Sequence, residues 1–408
     1  MKTKFIGMAA LAAMFSLGFT ACSNNEEIGG AEVAQARDAI GFDIAADGMK
    51  ASTRGLATNS GSIIFTDFQA WGYDAVAGGL YMGASATSGV TVTNTAGVWG
   101  YTPTQFWPVN ALNFVAIAPA ASAEITGNSV AQDGTSKVLT LTSAIALDTD
   151  VEDQDDIMFA ASRTADVTDP APALGAYGPV AKGDHDGDVP LNFQHALSQV
   201  VFKGKLPSNG TVTEVEIAEI SLGNIPSEGS LTFTSAGAFY GGAATITPTA
   251  LSEAVFSLDA DDLEAANWGV GGTLDTYDNA TAGTAFDLTV SNSASKPTAK
   301  PGNAWFMLPQ ALTAWTPESD AQKKAGGMVA APATGAYMKI RATLKKDGVT
   351  LLNNTDPVYI PIGDTWERGK KYIYTIEFNG TGALTPITFS VTTVDWTNAD
   401  PQPDELSF

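Results

Sequence analysis

The chain contains a single cysteine, Cys22, and cysteine chemistry is the first function to consider. A catalytic thiol needs a histidine base and a rigid pocket. Cys22 instead follows an apolar run, precedes the polar residues 23–27, and lies far along the sequence from His185 and His195. The pattern argues against a cysteine nucleophile. It favours a role for Cys22 at the boundary between two kinds of segment.

The segment before Cys22 has the parts of a secretory signal peptide. Lys2 and Lys4 make its start positive, residues 5–19 are apolar, and small residues precede the cysteine. The apolar run is about fifteen residues long, which is shorter than the roughly twenty that span a bilayer as a helix. We therefore predict that residues 1–21 are a signal peptide and that the mature protein has no transmembrane segment.

Residues 19–22, Phe-Thr-Ala-Cys, resemble a bacterial lipobox, in which the thiol is acylated and the cysteine becomes the first residue. Each buried methylene contributes about 0.8 kcal/mol, so two or more chains such as palmitate hold a protein at a membrane. The resemblance implies an outer membrane lipoprotein with residues 22–38 as its tether. The acidic pair Glu26-Glu27 is similar to a surface-export signal. The alternative is a cysteine that merely ends a signal peptide.

An alternating run of aspartates and a single histidine are candidates for metal binding or acid–base chemistry. Asp184, Asp186 and Asp188 alternate, but an EF-hand loop needs more ligands and a final glutamate that is absent at the required offset. We interpret this run as a solvated linker and leave calcium binding open. His195 lies on an apolar stretch with only His185 as another histidine, which favours a structural role. We predict no metal site, no cofactor and no enzymatic activity.

Composition limits the class of protein and its partners. The formal net charge is -23, and it becomes -25 when Lys2 and Lys4 leave with the signal peptide. This acidity argues against nucleic acid as a partner. No cysteine remains for disulfides, so packing must stabilise the fold. Helical periodicity is nearly absent and glycine is abundant, which predicts an all-β protein with long loops.

The length predicts more than one domain. Removal of 21 of the 408 residues leaves 387, which exceeds what one β-sandwich core usually supports. The interval 164–187 is rich in proline, glycine and aspartate, as expected of a domain boundary. We predict an N-terminal β-sandwich over residues 39–183 and a C-terminal β-sandwich over residues 184–408. In the first, the continuous apolar run 112–118 predicts a central strand that is buried on both faces.

Short motifs are spread over nearly the whole chain: Phe106-Trp107-Pro108, Asp156-Ile157-Met158-Phe159-Ala160, residues 191–200, residues 306–310, residues 366–372 and Val394-Asp395-Trp396. Together with the lipobox-like residues, their order and spacing resemble the fimbrillin family, the Mfa-like subunits of type V pili. The resemblance implies two transthyretin-like β-sandwich domains and surface export as a lipoprotein. It also implies removal of an N-terminal strand by an arginine-specific protease, and polymerisation with other copies or related subunits into an adhesive fimbria.

The first predicted strand fits that mechanism physically. Ile40, Phe42 and Ile44 share one face, and their full burial would stabilise the strand by roughly 5 to 8 kcal/mol. A cut after Arg54 would free the strand and expose an apolar groove with two unpaired strand edges. A strand from another copy could fill it. Since donor and acceptor surfaces differ, the contact would be head-to-tail and would build an open filament.

The last predicted strand is the candidate donor. Ile387, Phe389 and Val391 share one face, whereas Val394 and Trp396 fall on the other. This change of phase predicts a β-bulge or a crossing between sheets near the two threonines that precede Val394.

The sequence leaves the position in a filament open. Pro401 and Pro403 interrupt what would be a second terminal strand, which departs from the pattern of major stalk subunits. A tip or anchor subunit is therefore an alternative to a stalk subunit. A second alternative is a lipid-anchored surface module that binds a glycan or host protein and does not polymerise, because exposed aromatic residues can stack on sugars.

Overall fold

The structure is a computed structural model, and its described part comprises residues 39–46, 65–151, 153–163, 176–185, 188–236, 244–249, 253–258, 267–270, 278–280, 282–287, 305–319, 322, 328, 330–353, 355, 357–379 and 387–395. Within these ranges the regular structure is entirely β-strand. The predicted all-β class is confirmed. The count of two transthyretin-like sandwich domains stays a prediction. No helix of the described part is long and apolar enough to span a membrane, and the predicted signal peptide lies outside that part.

The strands of the first half are β1 (Gly41–Ala46), β2 (Asp67–Asp74), β3 (Leu80–Met82), β4 (Val90–Thr95), β5 (Val98–Gly100), β6 (Leu112–Ala118), β7 (Ile125–Gln132), β8 (Leu139–Ala146), β9 (Met158–Ala161), β10 (Lys182–His185), β11 (Asp188–His195) and β12 (Ser198–Lys205). Those of the second half are β13 (Glu214–Pro226), β14 (Glu228–Thr234), β15 (Ala244–Pro248), β16 (Glu253–Leu258), β17 (Asn267–Val270), β18 (Asp278–Ala280), β19 (Ala285–Asp287), β20 (Trp305–Met307), β21 (Gln310–Ala311), β22 (Tyr337–Lys346), β23 (Val349–Leu352), β24 (Val358–Pro361), β25 (Thr365–Trp366), β26 (Lys370–Phe378) and β27 (Ile387–Asp395).

The sheet that carries β1, here called the first sheet, has the strand order β1-β11-β9-β6-β2-β4-β5, and β3 pairs with β2. Every residue of its central strand β6 is buried, as the apolar run predicted. The two ends of this order are connected differently. β5 forms a hairpin with the adjacent strand β4, whereas β1 pairs with β11, which is distant from it in the sequence. β1 is therefore an edge strand of this sheet.

Alternation with a period of two explains why other segments form half-buried strands. In β8, Leu139, Leu141, Ser143 and Ile145 are buried, and the alternate residues 140, 142 and 144 are more exposed. The turn between β4 and β5 consists of Ala96 and Gly97, with φ angles of 53° and 88°. Positive φ at both positions is the geometry of a tight two-residue hairpin.

Three further sheets hold most of the remaining strands. Their orders are β15-β14-β8-β7, then β18-β17-β13-β22-β23 with β16 and β24 attached, and β19-β12-β26-β27 with β20 attached. We call the last of these the C-terminal sheet. Two sheets combine strands from both sides of the predicted boundary at residue 184: β11 lies in the first sheet, and β14 pairs with β8. That boundary does not separate the sheets, and the division into two domains stays a prediction.

Candidate functional site

β1 lies between two sets of backbone partners. On one side it pairs in parallel with β11 over its six residues, with Gly41 beside Asp188 at its start. On the other side the Ile40 N–H donates to the Gln105 carbonyl oxygen at 2.9 Å, and the Tyr101 hydroxyl donates to the Ile40 carbonyl oxygen at 2.9 Å. Removal of Ile40 together with β1 would leave backbone groups of β11 and the Gln105 carbonyl oxygen without these partners.

The side chains of this strand alternate as predicted. Ile40 and Phe42 are 2% and 7% exposed, and Ile44 is half-buried and packs against the same cluster. Between them, Gly41 is half-buried and Asp43 is exposed. The apolar face therefore points into the protein, and the other face points outward. The predicted half-buried strand is confirmed.

Phe42 sits in a pocket made of aromatic rings. Its ring centroid lies 5.6 Å from that of Phe68, 5.8 Å from that of Tyr101 and 6.0 Å from that of Phe114. All three contacts are edge-on, which is a favourable arrangement of ring quadrupoles. The surface that holds β1, between β11 and residues 101–106 and above these rings, is called here the β1 groove.

The groove has a floor that does not depend on β1. Phe65 and Phe193 lie 4.8 Å apart, and Phe68 lies 5.2 Å from Phe193 and 5.3 Å from Trp99. These aromatic residues come from three other parts of the chain. A vacated groove would therefore present a wall of apolar rings to water, which strongly favours refilling by another apolar strand.

Gly41 marks the closest approach between β1 and its neighbour. A Cβ atom at this position would lie 1.9 Å from the Asp188 carboxylate oxygen Oδ1. Partial burial raises the pKa of the Asp188 carboxyl above its usual range. Glycine lets the carboxylate lie directly against the strand.

The C-terminal strand β27 occupies the edge of the C-terminal sheet. It pairs with β26 in antiparallel register from Ile387 beside Phe378 to Asp395 beside Lys370. The register is continuous, so the predicted bulge or crossing is wrong. Val394 is 37% exposed and faces solvent instead of starting a second apolar face, which removes the reason for a change of phase.

The other donor candidates on β27 face the core. Ile387 is 1% exposed, and Phe389 and Val391 are half-buried against the main apolar cluster. The Phe389 ring lies 5.4 Å from the Tyr374 ring. At the far end Asp395 forms an ion pair with Lys370. Burial therefore declines along the strand towards its C-terminal end.

Three predicted site residues lie outside the described residues: Cys22, Arg54 and Trp396. Their roles stay predictions. Of the aspartates considered for calcium, Asp184 is exposed and accepts a hydrogen bond from the Ala181 N–H at 2.8 Å. Asp186 lies outside the described residues, among which no cluster of three or more metal-ligating side chains occurs.

Sequence reasoning missed the partner of His195. This histidine is fully buried, and its Nδ1 lies 2.8 Å from Oδ2 of Asp156, which is also buried. Burial raises the pKa of the Asp156 carboxyl, and the neighbouring imidazole opposes that shift. A pair sealed from solvent suits a structural role better than acid–base chemistry. The two residues are 39 positions apart, and no local pattern pairs them.

Several of the short motifs meet around this pair. The Arg368 guanidinium lies 5.1 Å above the Phe159 ring and donates to Oε1 of Gln194 at 3.2 Å. Gln154, two residues before Asp156, accepts a hydrogen bond from the Phe306 N–H at 2.8 Å. Four separate motif regions are thus joined by buried polar contacts, which explains their residue types structurally.

Comparison with solved structures supports the fold. A fimbrial protein from Bacteroides vulgatus ATCC 8482 matches with a TM-score of 0.50 at 17% identity, covering 88% of this chain and 99% of that chain. The fimbrial anchor protein Mfa2 from Porphyromonas gingivalis matches with a TM-score of 0.31 at 7% identity, covering 88% and 98%. No curated protein sequence matches the chain.

The sequence model of the fimbrillin-like family matches residues 74–396, which is most of the chain. The matched region contains the motifs that meet around Asp156 and His195, as well as β27. The chain belongs to the fimbrillin-like family.

Proposed function

We propose that this chain is a structural subunit of a surface fimbria. It is exported as an outer membrane lipoprotein through Cys22, cut after Arg54 by an arginine-specific protease, and assembled by strand exchange with other copies or related subunits into an adhesive fimbria. The observation that carries the proposal is the position of β1. It is an edge strand whose apolar face fills a groove of aromatic rings built by other parts of the chain.

The energetics of β1 suit a strand that stays bound until it is cut and can then be replaced. Burial of Ile40, Phe42 and Ile44 stabilises the bound strand by roughly 5 to 8 kcal/mol as an upper estimate, since Ile44 is only half-buried. After a cut, the strand is held by noncovalent contacts alone. An incoming strand of similar side chains can compete for the groove by mass action.

The position of the cut follows from the chain order. Arg54 lies in the segment that joins β1 to Phe65, so a cut there separates β1 from the body that forms the groove. Arg37 precedes β1, and a cut there would leave Ile40 and Ile44 covalently attached. Only the first cut opens the groove.

The donor is the C-terminal strand, with Ile387, Phe389, Val391, Val394 and Trp396 as the candidate contacts. β27 is supported as donor by its place at a sheet edge, where β26 is its one partner among the described strands. Donor and acceptor surfaces are different parts of the chain, so repeated donation gives an open head-to-tail filament. Because of Pro401 and Pro403, a tip or anchor position is an alternative to a stalk position. A tip or anchor subunit would accept a strand or donate one, but not both.

Assembly is tested by digestion with an arginine-specific protease, followed by a denaturing gel of heated samples and by electron microscopy. The unmodified chain should give a ladder of heat-resistant oligomers and filaments. Arg54→Ala should remain a folded monomer, because β1 stays covalently attached. Arg37→Ala is the matched control and should polymerise normally. An undiminished ladder from Arg54→Ala would contradict the mechanism and favour a monomeric binding module.

Anchoring is tested separately. Cys22→Ser should abolish labelling of the chain by fatty acid, because the acylated thiol is gone, and should release the protein from the membrane fraction. A mutant that still takes up labelled fatty acid would contradict the lipoprotein assignment and leave the strand-exchange proposal untouched.

A further inference from the structure

Two strands at opposite ends of the chain carry the same side-chain series. Residues 40–44 read Ile-Gly-Phe-Asp-Ile, and residues 387–391 read Ile-Thr-Phe-Ser-Val. In both, the first, third and fifth side chains face the protein interior. In both, the strand lies at a sheet edge. The segment that leaves the groove and the segment that can enter it thus offer matching apolar faces.

We propose that residues 387–391 of one copy replace residues 40–44 in the β1 groove of the next copy, in the same direction and in the same register. Phe389 then takes the place of Phe42, with Ile387 and Val391 on either side of it. The inference rests on the proposed strand exchange and adds what that exchange leaves open: which donor residue enters which position.

The three apolar positions accept the new side chains. Three aromatic rings contact Phe42 edge-on, and another phenylalanine at this position restores the same contacts. Ile387 matches Ile40, which lies just before β1 and is 2% exposed. Val391 is one methylene smaller than Ile44, and Ile44 is only half-buried, so little contact is lost there.

At the second position of the series, β1 has a glycine without a side chain, whereas the donor has a threonine. Thr388 would stand at the position of Gly41, where a Cβ atom lies 1.9 Å from Oδ1 of Asp188. The obstructing atom is the end of an exposed, rotatable side chain. Once the carboxylate turns, the Thr388 hydroxyl can donate a hydrogen bond to it. Ser390 would stand at the exposed position of Asp43, where a polar side chain is already present.

The direction of the inserted strand follows from Pro386, because the apolar series itself reads similarly in reverse. In the proposed direction Pro386 stands at Ala39, where the hydrogen bond of the bridge to the neighbouring segment is donated by Ile40. In the reverse direction Pro386 stands at Ala45, inside the ladder with β11. Proline has no N–H to give to a ladder and is tolerated at the start of a strand.

Residues 387–391 are also the segment that the C-terminal end can supply. Beyond them Val394 and Trp396 are followed by polar residues and by Pro401 and Pro403, and no later triad of alternating large apolar residues occurs in the sequence. Among the described strands β27 pairs only with β26, so its departure breaks one described ladder, of nine residue pairs.

A disulfide cross-link tests the register directly. The Cβ position at Gly41 lies 3.8 Å from the Asp188 Cβ, which matches the Cβ separation of about 3.8 Å typical of disulfides. Full-length chains with Cys22→Ser, so that the engineered thiols are the only ones, would carry Asp188→Cys in one copy and Thr388→Cys in another. They are mixed, digested with the arginine-specific protease and mildly oxidised. Linked peptides are identified by mass spectrometry.

We expect the yield of the disulfide between positions 188 and 388 to be at least about tenfold higher than the yield between positions 188 and 390, measured with Ser390→Cys. Position 390 faces position 188 only if the strand enters in reverse. Each variant is first checked to form the same oligomer ladder as the Cys22→Ser parent. Oligomers that link 188 to 390, or that link neither, overturn the register and leave strand exchange standing. A parent chain that forms no oligomers after cleavage overturns strand exchange itself, and the register with it.

Discussion

The two edge strands β1 and β27 carry nearly the same apolar series but are held in different ways. β1 runs parallel to β11 and places Phe42 among three rings, and Ile40 just before it has further hydrogen-bond partners. β27 runs antiparallel to β26 over nine residues, has no second partner among the described strands, and becomes exposed beyond Val391. The side-chain series decides which face is buried. The neighbouring strands and rings decide how deeply that face is buried.

Under the proposed strand exchange, this difference gives a reason for the cut. β1 occupies the deeper site, so β27 of another copy cannot displace it while β1 is covalently tethered, because the tether keeps the effective concentration of β1 high. After the cut, the more loosely held strand of one copy can move into the deeper site of the next. At the central position the proposed exchange would move a phenylalanine from a half-buried site to a buried one, since Phe389 is half-buried and Phe42 is 7% exposed.

The largest expected effect comes from truncating the matching phenylalanines. Phe42→Ala should lower the free energy of unfolding of the intact chain by about 3 to 5 kcal/mol, because it empties a pocket of packed rings. Phe389→Ala should lower it by about 1 to 2 kcal/mol, since that ring is half-buried at an open edge. Urea denaturation of both variants measures the two losses. Equal losses would contradict the view that Phe42 occupies a more buried site than Phe389.

A smaller effect is expected at the point of closest approach. Gly41→Ala should lower the free energy of unfolding by about 1 kcal/mol, because the added methyl group displaces the Asp188 carboxylate. The double variant with Asp188→Ala should recover most of that loss. A double variant in which the two losses simply add would show that the contact is not the cause, and would weaken the parallel drawn between Gly41 and Thr388.

The smallest effect concerns pH. With β1 bound, burial raises the pKa of Asp188 above the ordinary 3.8, so the bound state holds a proton more tightly than the state without β1. Retention of β1 after the cut is therefore favoured at low pH and weakens as the pH rises from about 3.8 through the raised pKa. Asp188→Asn should remove this contribution. The measurement is the fraction of cut chain that keeps its β1 peptide, followed by size-exclusion chromatography across the acidic range; an identical pH profile in both chains would contradict the assignment.

Sequence reasoning succeeded where one local pattern determines one face. The run 112–118 became the fully buried β6, and the alternation at Ile40, Phe42 and Ile44 became a half-buried strand. Periodicity reports whether a side chain points inward or outward, and it is insensitive to what lies on the inner side.

Sequence reasoning failed where a partner from elsewhere in the chain decides the outcome. The pairing of β1 with β11 crosses the interval chosen as a boundary, and Asp156 finds His195 across 39 positions. The bulge predicted near Val394 rested on treating each apolar residue of a strand as buried. At an open sheet edge Val394 faces solvent, and the register stays regular.

The central claim is that β1 leaves its groove when the subunits join. The most direct measurement is the content of the β1 peptide, residues 38–54, in heat-resistant oligomers isolated after digestion with the arginine-specific protease and analysed by quantitative mass spectrometry. The account predicts that cut monomers retain the peptide and that oligomers retain at most one copy per filament, in the subunit whose groove received no donor. Oligomers that retain one β1 peptide for every subunit would contradict it.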